Sequence, residues 1–411
     1  MTKGTSRSTV MLNLISKRFT SDDTISPSTT NVATSSIVHD VTGNMSQAPE
    51  GCYVFLLQEM EFLPWDNPDN IVSAEVEDII RRLKDVMLPI FFLIGAPANV
   101  INMAVFYKQG LKERVSLCLF ALSLADELFL INMMCLYSEQ LVLPFTTKER
   151  FGPVMRFMVN HNLVGFFGFS WVSQVLSAII ASERCLCVIS PLRFQTLLPT
   201  RTMAGIVSVV YVAVVGLYFV VAMRYRIECV YDPASDTVVY TAIASEFYLS
   251  HQLLIDYIDS FVYGAGIPGL TIIVGTTTTI ITAVKIRQAA TWRAETAASG
   301  SSSSSMPLRE VALTKMLIGI SVLFIVCVSP LALFRFACLL LPEVNTGRRN
   351  QNIYLSGLWI LEAFAYVNSS VNVFVYYAMG SRYRETFWSL FRKKKRDKAQ
   401  ERSTMTKTTK I

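Results

Sequence analysis

The amino-acid sequence predicts an all-α membrane protein, a seven-transmembrane helix bundle followed by a short cytoplasmic helix eight. Three observations carry that expectation. The 411-residue chain is 52% hydrophobic and only 17% charged, an apolar excess too large for an ordinary soluble domain. Seven stretches are long enough to cross the hydrocarbon core of a bilayer, which takes about 20 apolar residues at a rise of about 1.5 Å. One of them, Val115–Tyr137, carries Asp126 in its middle with Glu127 as the only charged neighbour. A carboxylate at that depth costs about 2.5–3.5 kcal/mol on insertion scales, so it needs a partner, a cation or a purpose.

From the N-terminus, residues 1–85 are rich in Ser, Thr and Asp and show no sustained periodicity before Ser73–Lys84. They are expected to be extracellular and largely disordered. Val10–Ile15 is too short an apolar core for a signal peptide. Asn44-Met45-Ser46 is a glycosylation sequon, which makes Asn44 a candidate acceptor. Residues 86–380 form the bundle. Its expected spans are Val86–Tyr107, Val115–Tyr137, Arg156–Ile189, Met203–Met223, Ser260–Ile286, Val311–Leu341 and Ile353–Met379. The third and sixth are long enough to cross with tilt. Hydrocarbon offers the backbone no hydrogen-bond partner, so all seven are read as helices. Ser299–Ser305 is a flexible polar linker before the sixth span. Residues 381–391 form the amphipathic helix eight and 392–411 a basic tail. Phe387, Trp388, Leu390 and Phe391 beside Arg392–Lys395 suit a lipid interface.

Lys and Arg set the orientation. They crowd the loops after spans one, three and five (Lys108, Lys112, Arg114, Arg193, Arg201, Lys285, Arg287, Arg293, Arg309) and the tail, and are sparse in the opposite loops. The positive-inside rule then places the tail in the cytoplasm and the N-terminus outside, as in a multi-pass plasma-membrane protein. Arg81, Arg82 and Lys84 argue the other way and are outvoted. The net charge of +6 is accounted for by a basic tail facing an anionic leaflet and calls for no nucleic acid.

Polar residues inside the spans cluster: Asn99, Asp126, Ser173, Asn368, Ser369 and Asn372. Asn368 and Asn372 are four apart, and Ser369 and Asn372 three apart, which puts all three on one helical face. Oxygen-bearing side chains around one carboxylate could hold a small hard cation such as Na⁺, with Asp126 and Ser173 as its candidate ligands, or a water network. Interhelical hydrogen bonds, worth about 0.6–2 kcal/mol each, account for the same spacing. No other cofactor is expected.

Several motifs resemble those of rhodopsin-like (class A) G-protein-coupled receptors. Gly95 through Asn99 looks like the first-helix motif, and Leu122-Ser123-Leu124-Ala125-Asp126 like the second-helix signature. Glu183-Arg184-Cys185 stands where that family has Asp/Glu-Arg-Tyr, with Pro191-Leu192-Arg193 after it. Pro268 matches the fifth-helix proline, and Phe324, Cys327 and Pro330 match F-x-x-x-C-x-x-P of helix six. Asn368 through Tyr376 resembles N-S-x-x-N-P-x-x-Y of helix seven. The resemblance runs from about residue 87 to 392, and its texture is similar to mollusc and related invertebrate receptors of chemosensory or neuropeptide type. It implies an extracellular peptide or small-molecule ligand, a heterotrimeric G protein as partner, and membrane lipid around the bundle. It also implies an activation set of Glu183, Arg184, Phe324, Pro330, Asn372 and Tyr376, and a sodium site around Asp126. The departures are Cys185 for Tyr, Val373 for the seventh-helix proline, Val328 for the sixth-helix Trp, Thr276 for the fifth-helix Tyr, and a fourth helix without its usual Trp.

Physical placement adds detail. Glu310 lies twenty residues before Pro330, about 30 Å along a helix, and so at the same face as Arg184. An Arg184–Glu310 pair would tie spans three and six, and a helix-capping role for Glu310 is the equal alternative. Near the outer end stand Arg335, Trp359, Glu362 and His161, above an acidic second outer loop. Aminergic relatives place an Asp eighteen residues before the motif Arg, where this chain has Phe166. Opsins need a seventh-helix Lys, and Ile353–Met379 has none. The ligand pocket is therefore expected at Phe166, Arg335, Trp359 and Glu362. Of the eight cysteines, Cys229 could pair with Cys52, Cys135 or Cys338, or stay free. An enzyme is not expected, since none of the three His lies mid-span beside a nucleophile. The competing class is an ion-coupled transporter or channel that uses Asp126.

Overall fold

The computed structural model describes residues 53–54, 70–136, 148–161, 167–190, 198–232, 237–298, 308–341, 343–344 and 349–392. Asn44, Phe166, the 299–305 linker and the tail from 393 lie outside the described residues, as does the side chain of Glu310. Seven helices are long and apolar enough to cross a membrane. Their order is span one Ala74–Gln109, two Arg114–Leu136, three Gly168–Ile189, four Thr200–Ala222, five Glu246–Trp292, six Leu308–Leu340 and seven Gln351–Met379. Helix eight is Ser381–Phe391.

Span one starts twelve residues before the expected Val86. Ser73 caps it, its Oγ accepting from the Val76 amide at 3.4 Å, and Glu75 and Glu77 sit in the first turn where the dipole favours acids. The charges that depress hydropathy over residues 75–85 answer one another along the helix. Arg81 and Arg82 both pair with Asp78, and Lys84 lies 3.5 Å from Asp85. With 36 residues the helix is about 54 Å long, well beyond the hydrocarbon thickness. Asn352 at the start of span seven holds this extension, its Nδ2 donating to the Val72 carbonyl at 2.9 Å.

The third expected span, Arg156–Ile189, is not one helix. The described residues form a separate helix, Lys148–Asn160, and then Gly168–Ile189. Asn160, Asn162, Gly165 and Gly168 between the two halves are poor helix formers. Span five is longer than expected and contains a π-helical stretch, Ile258–Gly266, between Glu246–Tyr257 and Ile267–Ala298. Pro268 follows immediately, where a missing N–H and a ring against the preceding turn already disturb the α-ladder.

Between spans four and five the chain forms a hairpin, β2 Tyr225–Asp232 and β3 Thr237–Ala244, paired from Tyr225↔Ala244 to Asp232↔Thr237. A third strand, β1 Tyr53–Val54, adds in parallel with Tyr53 opposite Val230. The Lys148–Asn160 helix clamps this sheet without a covalent bond. Asn160 bonds both backbone groups of Ile227, donating to its carbonyl at 3.0 Å and accepting from its amide at 2.7 Å, while Arg156 pairs with Glu228. Gly152 allows the approach, since a Cβ there would fall 2.0 Å from the Tyr240 ring.

Within the bundle, spans one, two and seven meet at Gly95. An added Cβ would lie 2.5 Å from Ser370 Oγ and 2.6 Å from Leu130 Cδ1. Spans three, four and five join through Trp171, Tyr218 and Tyr263, whose ring centroids are 4.7–5.2 Å apart. Trp171 Nε1 donates to the Tyr263 carbonyl at 2.8 Å, and Tyr263 Oη to the Val214 carbonyl at 2.7 Å. Trp171 and Tyr263 thereby each carry their polar handle to a backbone acceptor on another span.

Cys229 is disulfide-bonded, and Cys118, Cys135, Cys185, Cys187, Cys327 and Cys338 are not. Cys135 and Cys338 are thereby ruled out as its partners. Of the eight cysteines Cys52 is then the remaining candidate; it lies outside the described residues, next in sequence to the Tyr53 that pairs opposite Val230. Non-reducing peptide mapping of the full chain is expected to return one cross-linked peptide, joining Cys52 to Cys229. A bridge from Cys229 to a second chain would contradict this.

Candidate functional site

The centre of the bundle is built on Asp126, which is wholly buried. Ser173 Oγ of span three donates to its Oδ1 at 2.7 Å, Ser369 Oγ of span seven to the same oxygen at 3.0 Å, and Asn372 Nδ2 to Oδ2 at 3.0 Å. Hydrogen bonds to a charged acceptor are the stronger kind, worth about 1.5–3 kcal/mol each. Three donors from two other spans thus answer the desolvated carboxylate. Asn99 joins through the backbone, its Nδ2 donating to the Ser369 carbonyl at 2.8 Å. Asn368 is buried on the same helix but makes no hydrogen bond to Asp126.

The network continues toward helix eight through a residue that sequence reading overlooked. Asn102 Nδ2 lies 3.5 Å from Asn99 Oδ1, and Tyr383 Oη of helix eight donates to Asn102 Oδ1 at 2.5 Å. Burial raises the pKa of the Tyr383 phenol, which keeps it the donor. Tyr376 is packed between the two, its ring edge-on to Phe106 at 5.1 Å and 5.5 Å from Tyr383. The only signal for Asn102 was its place one turn beyond Asn99 on the same face.

At the helix-eight end, Arg184 bonds Glu183 through both Nε and Nη2, the latter at 2.5 Å. A second cation was missed: Arg114 at the start of span two sits 3.6 Å from the same carboxylate and donates to the Leu198 carbonyl at 2.7 Å. Glu183 is thus shared by two guanidinium groups. Beside them opens a cavity of about 450 Å³, lined by Arg184, Glu113, Thr314, Met316, Arg382 and Tyr383. Glu310 lies on the same helix as Thr314, one turn away. Phe324 and Pro330 stand further along that helix, Phe324 buried, and Pro330 cannot donate a backbone hydrogen bond to the preceding turn.

At the hairpin end, Arg335 and Glu362 line one small cavity of about 50 Å³ with Phe129, Trp171, Gln174 and Tyr366. The structure brings this expected pair together without joining them by a hydrogen bond or ion pair. Trp359 is not in the cavity wall. It lies under Lys84 of span one, whose Nζ is 5.3 Å from the ring centroid. Lys84 was legible only as a charge against the expected orientation, and its burial depends on a partner 275 positions away. Above the cavity, Arg224 holds Asp256 at 2.6 Å and Asp259 at 2.9 Å. Burial works against the Arg224 charge, but Asp259, with Tyr225 and Asp256, outweighs it and raises the pKa above its ordinary range.

No curated protein matches the chain. The family model for the 7 transmembrane receptor (rhodopsin family) matches residues 98–376, from the turn that holds Asn99 to the buried Tyr376. That interval contains five complete spans and most of span seven, the Asp126 network, the Glu183–Arg184 pair and both charged walls of the hairpin-end cavity. The chain belongs to the rhodopsin family of seven-transmembrane receptors, which signal through G proteins.

Proposed function

We propose that the chain is a plasma-membrane receptor with its N-terminus and hairpin outside, which binds a peptide or small chemosensory ligand in the hairpin-end cavity. A heterotrimeric G protein would engage the helix-eight end. The observation that carries this reading is the layout of one bundle. A charged, aromatic-walled cavity lies at one end, a wider cavity against Arg184 at the other, and a continuous polar chain from Asp126 to Tyr383 runs toward the second. Guanine-nucleotide exchange on a co-expressed G protein, compared with ion flux in the same cells, tests it. Flux without exchange supports the transporter or channel class instead.

The mechanism follows from which contacts can have two arrangements. Spans three and six line the helix-eight cavity together, and span six has a weakened ladder at Pro330, so an outward swing of its end would widen the space beside Arg184. A ligand bridging spans six and seven at Arg335 and Glu362 would bias that swing by its differential affinity for the two states. Glu310, on the same helix as Thr314, would restrain the swing by pairing with Arg184.

The oxygens around Asp126 suit a Na⁺ ion. Two serine hydroxyls lie within 3.0 Å of one carboxylate oxygen, and each can turn a lone pair to a cation in place of its hydrogen bond. Bound there, the ion would neutralise the carboxylate and pin spans two, three and seven in the resting arrangement.

Two outcomes are expected. Asp126→Asn should abolish any Na⁺ dependence of agonist affinity, measured as agonist binding in Na⁺ against a large organic cation. A mutant with the wild-type dependence would place the ion elsewhere. Glu310→Ala should raise basal nucleotide exchange, while Arg184→Ala should lower ligand-stimulated exchange by about tenfold or more. Unchanged basal exchange in Glu310→Ala, at equal surface expression, would leave that residue a helix cap.

A further inference from the structure

The hairpin-end cavity has an unsatisfied polar inventory. Gln174 is 8% exposed, yet its Oε1 accepts no hydrogen bond. Glu362 Oε2 is buried and accepts none either. Arg335 lines the same space and makes no hydrogen bond or ion pair with any described residue. Two acceptors without a hydrogen bond, on Gln174 and Glu362, therefore belong to side chains that line the same small volume as a guanidinium that makes none. Buried polar groups in native proteins are nearly always paired, and exceptions call for an explanation. The opposite charges do not close on each other, so the gap between them is kept open by the spans that carry them.

We propose that this cavity is built for a small amphoteric ligand of the amino-acid class. Its ammonium group is held by Glu362 and Gln174, and its carboxylate by Arg335. The inference rests on the reading of this cavity as the ligand site. A simple amine would leave Arg335 unanswered, and a simple anion would be driven against Glu362. A molecule carrying both charges a few ångströms apart satisfies all three side chains. Ammonium supplies three donors and no acceptor, matching two oxygens, and guanidinium presents a fork that carboxylate fits in bidentate fashion. Much of the remaining wall, Phe129, Val328 and Leu331 among it, is apolar and suits an apolar side chain, with Ser170 and Tyr366 adding hydroxyl-bearing side chains. The volume of about 50 Å³ holds only a few water-sized groups, which excludes a long peptide and, among free amino acids, favours the smallest side chains. Lys84, with Asp85 and Trp359, flanks this set without entering the cavity wall.

The test uses the full chain in lipid nanodiscs, with thermal unfolding read against a panel of free α-amino acids, their N-acetyl and C-amide derivatives, and short peptides. At least one free amino acid with an apolar side chain should raise the melting temperature, and both its acetylated and its amidated forms should not. Glu362→Gln and Arg335→Gln should each weaken that amino acid's effect by about tenfold or more. If a variant fails to fold, the acetyl and amide series on the unmodified chain decides the matter. A panel with no stabilising member, or stabilisation that survives blocking of either charge, overturns the proposal. So does stabilisation by C-amidated peptides alone, which would identify a peptide N-terminus as the occupant. Basal nucleotide exchange in the same preparation separates the two readings. Exchange without amino-acid binding removes this ligand class and leaves the receptor, while amino-acid binding without exchange removes the signalling role and leaves the site.

Discussion

A carboxylate in hydrocarbon must be answered by donors, and Asp126 draws them from spans three and seven. Much of the bundle is arranged around that requirement. Span seven must present Ser369 and Asn372 on one face, and span three must bring Ser173 against span two. The Ser369 carbonyl is then free to take Asn99 from span one. Losing any donor would leave a buried charge partly unpaired, at a cost of about 1–3 kcal/mol or more. The close meeting of spans one, two and seven at Gly95 follows from the same geometry, since a Cβ there would hold these helices apart.

The two ends of the bundle use charge differently. At the helix-eight end, the one carboxylate of Glu183 is shared between Arg184 and Arg114, so Arg184 can leave without orphaning an acid. At the hairpin end, Arg224 gathers two acids, while Arg335 and Glu362 stand unjoined across a cavity. The first arrangement has a spare partner built in and suits a contact that is made and broken. The second lacks a partner and suits a visitor that brings one.

The seven spans were legible in the sequence because each carries an apolar run of bilayer length, and the Asp126 partners were legible because Ser369 and Asn372 share a helical face. Boundaries failed where charges cancel locally. The acids and bases of residues 75–85 lower hydropathy, but Asp78 takes both Arg81 and Arg82, and the helix continues through them. The third span failed the other way, as an apolar average concealed poor helix formers around residues 160–168. Asn102, Lys84 and Arg114 escaped notice because their roles depend on Tyr383, Trp359 and Glu183, each far along the chain. Asn368 shows the limit of face-sharing: adjacency to Ser369 placed it near the carboxylate but did not aim it there. Of the expected cavity residues, Arg335 and Glu362 were within reach of residue counting from Pro330 and Asn372, whereas the contact of Trp359 with Lys84 was not.

The π-helical stretch in span five has a consequence for any position-by-position reading of that helix. An α-helix advances about 100° per residue, so each extra residue accommodated in a wider turn rotates everything before it by about that angle relative to everything after it. Residues upstream of Ile258 are therefore out of phase with an unbroken helix drawn back from Ile267. Asp256 and Asp259 meet Arg224 by virtue of that phase. A helical wheel drawn through Pro268 without the offset would turn both acids toward the wrong neighbours. The part of span five upstream of Ile258 has to be indexed on its own, with its zero taken before the π-helical turns rather than at the proline.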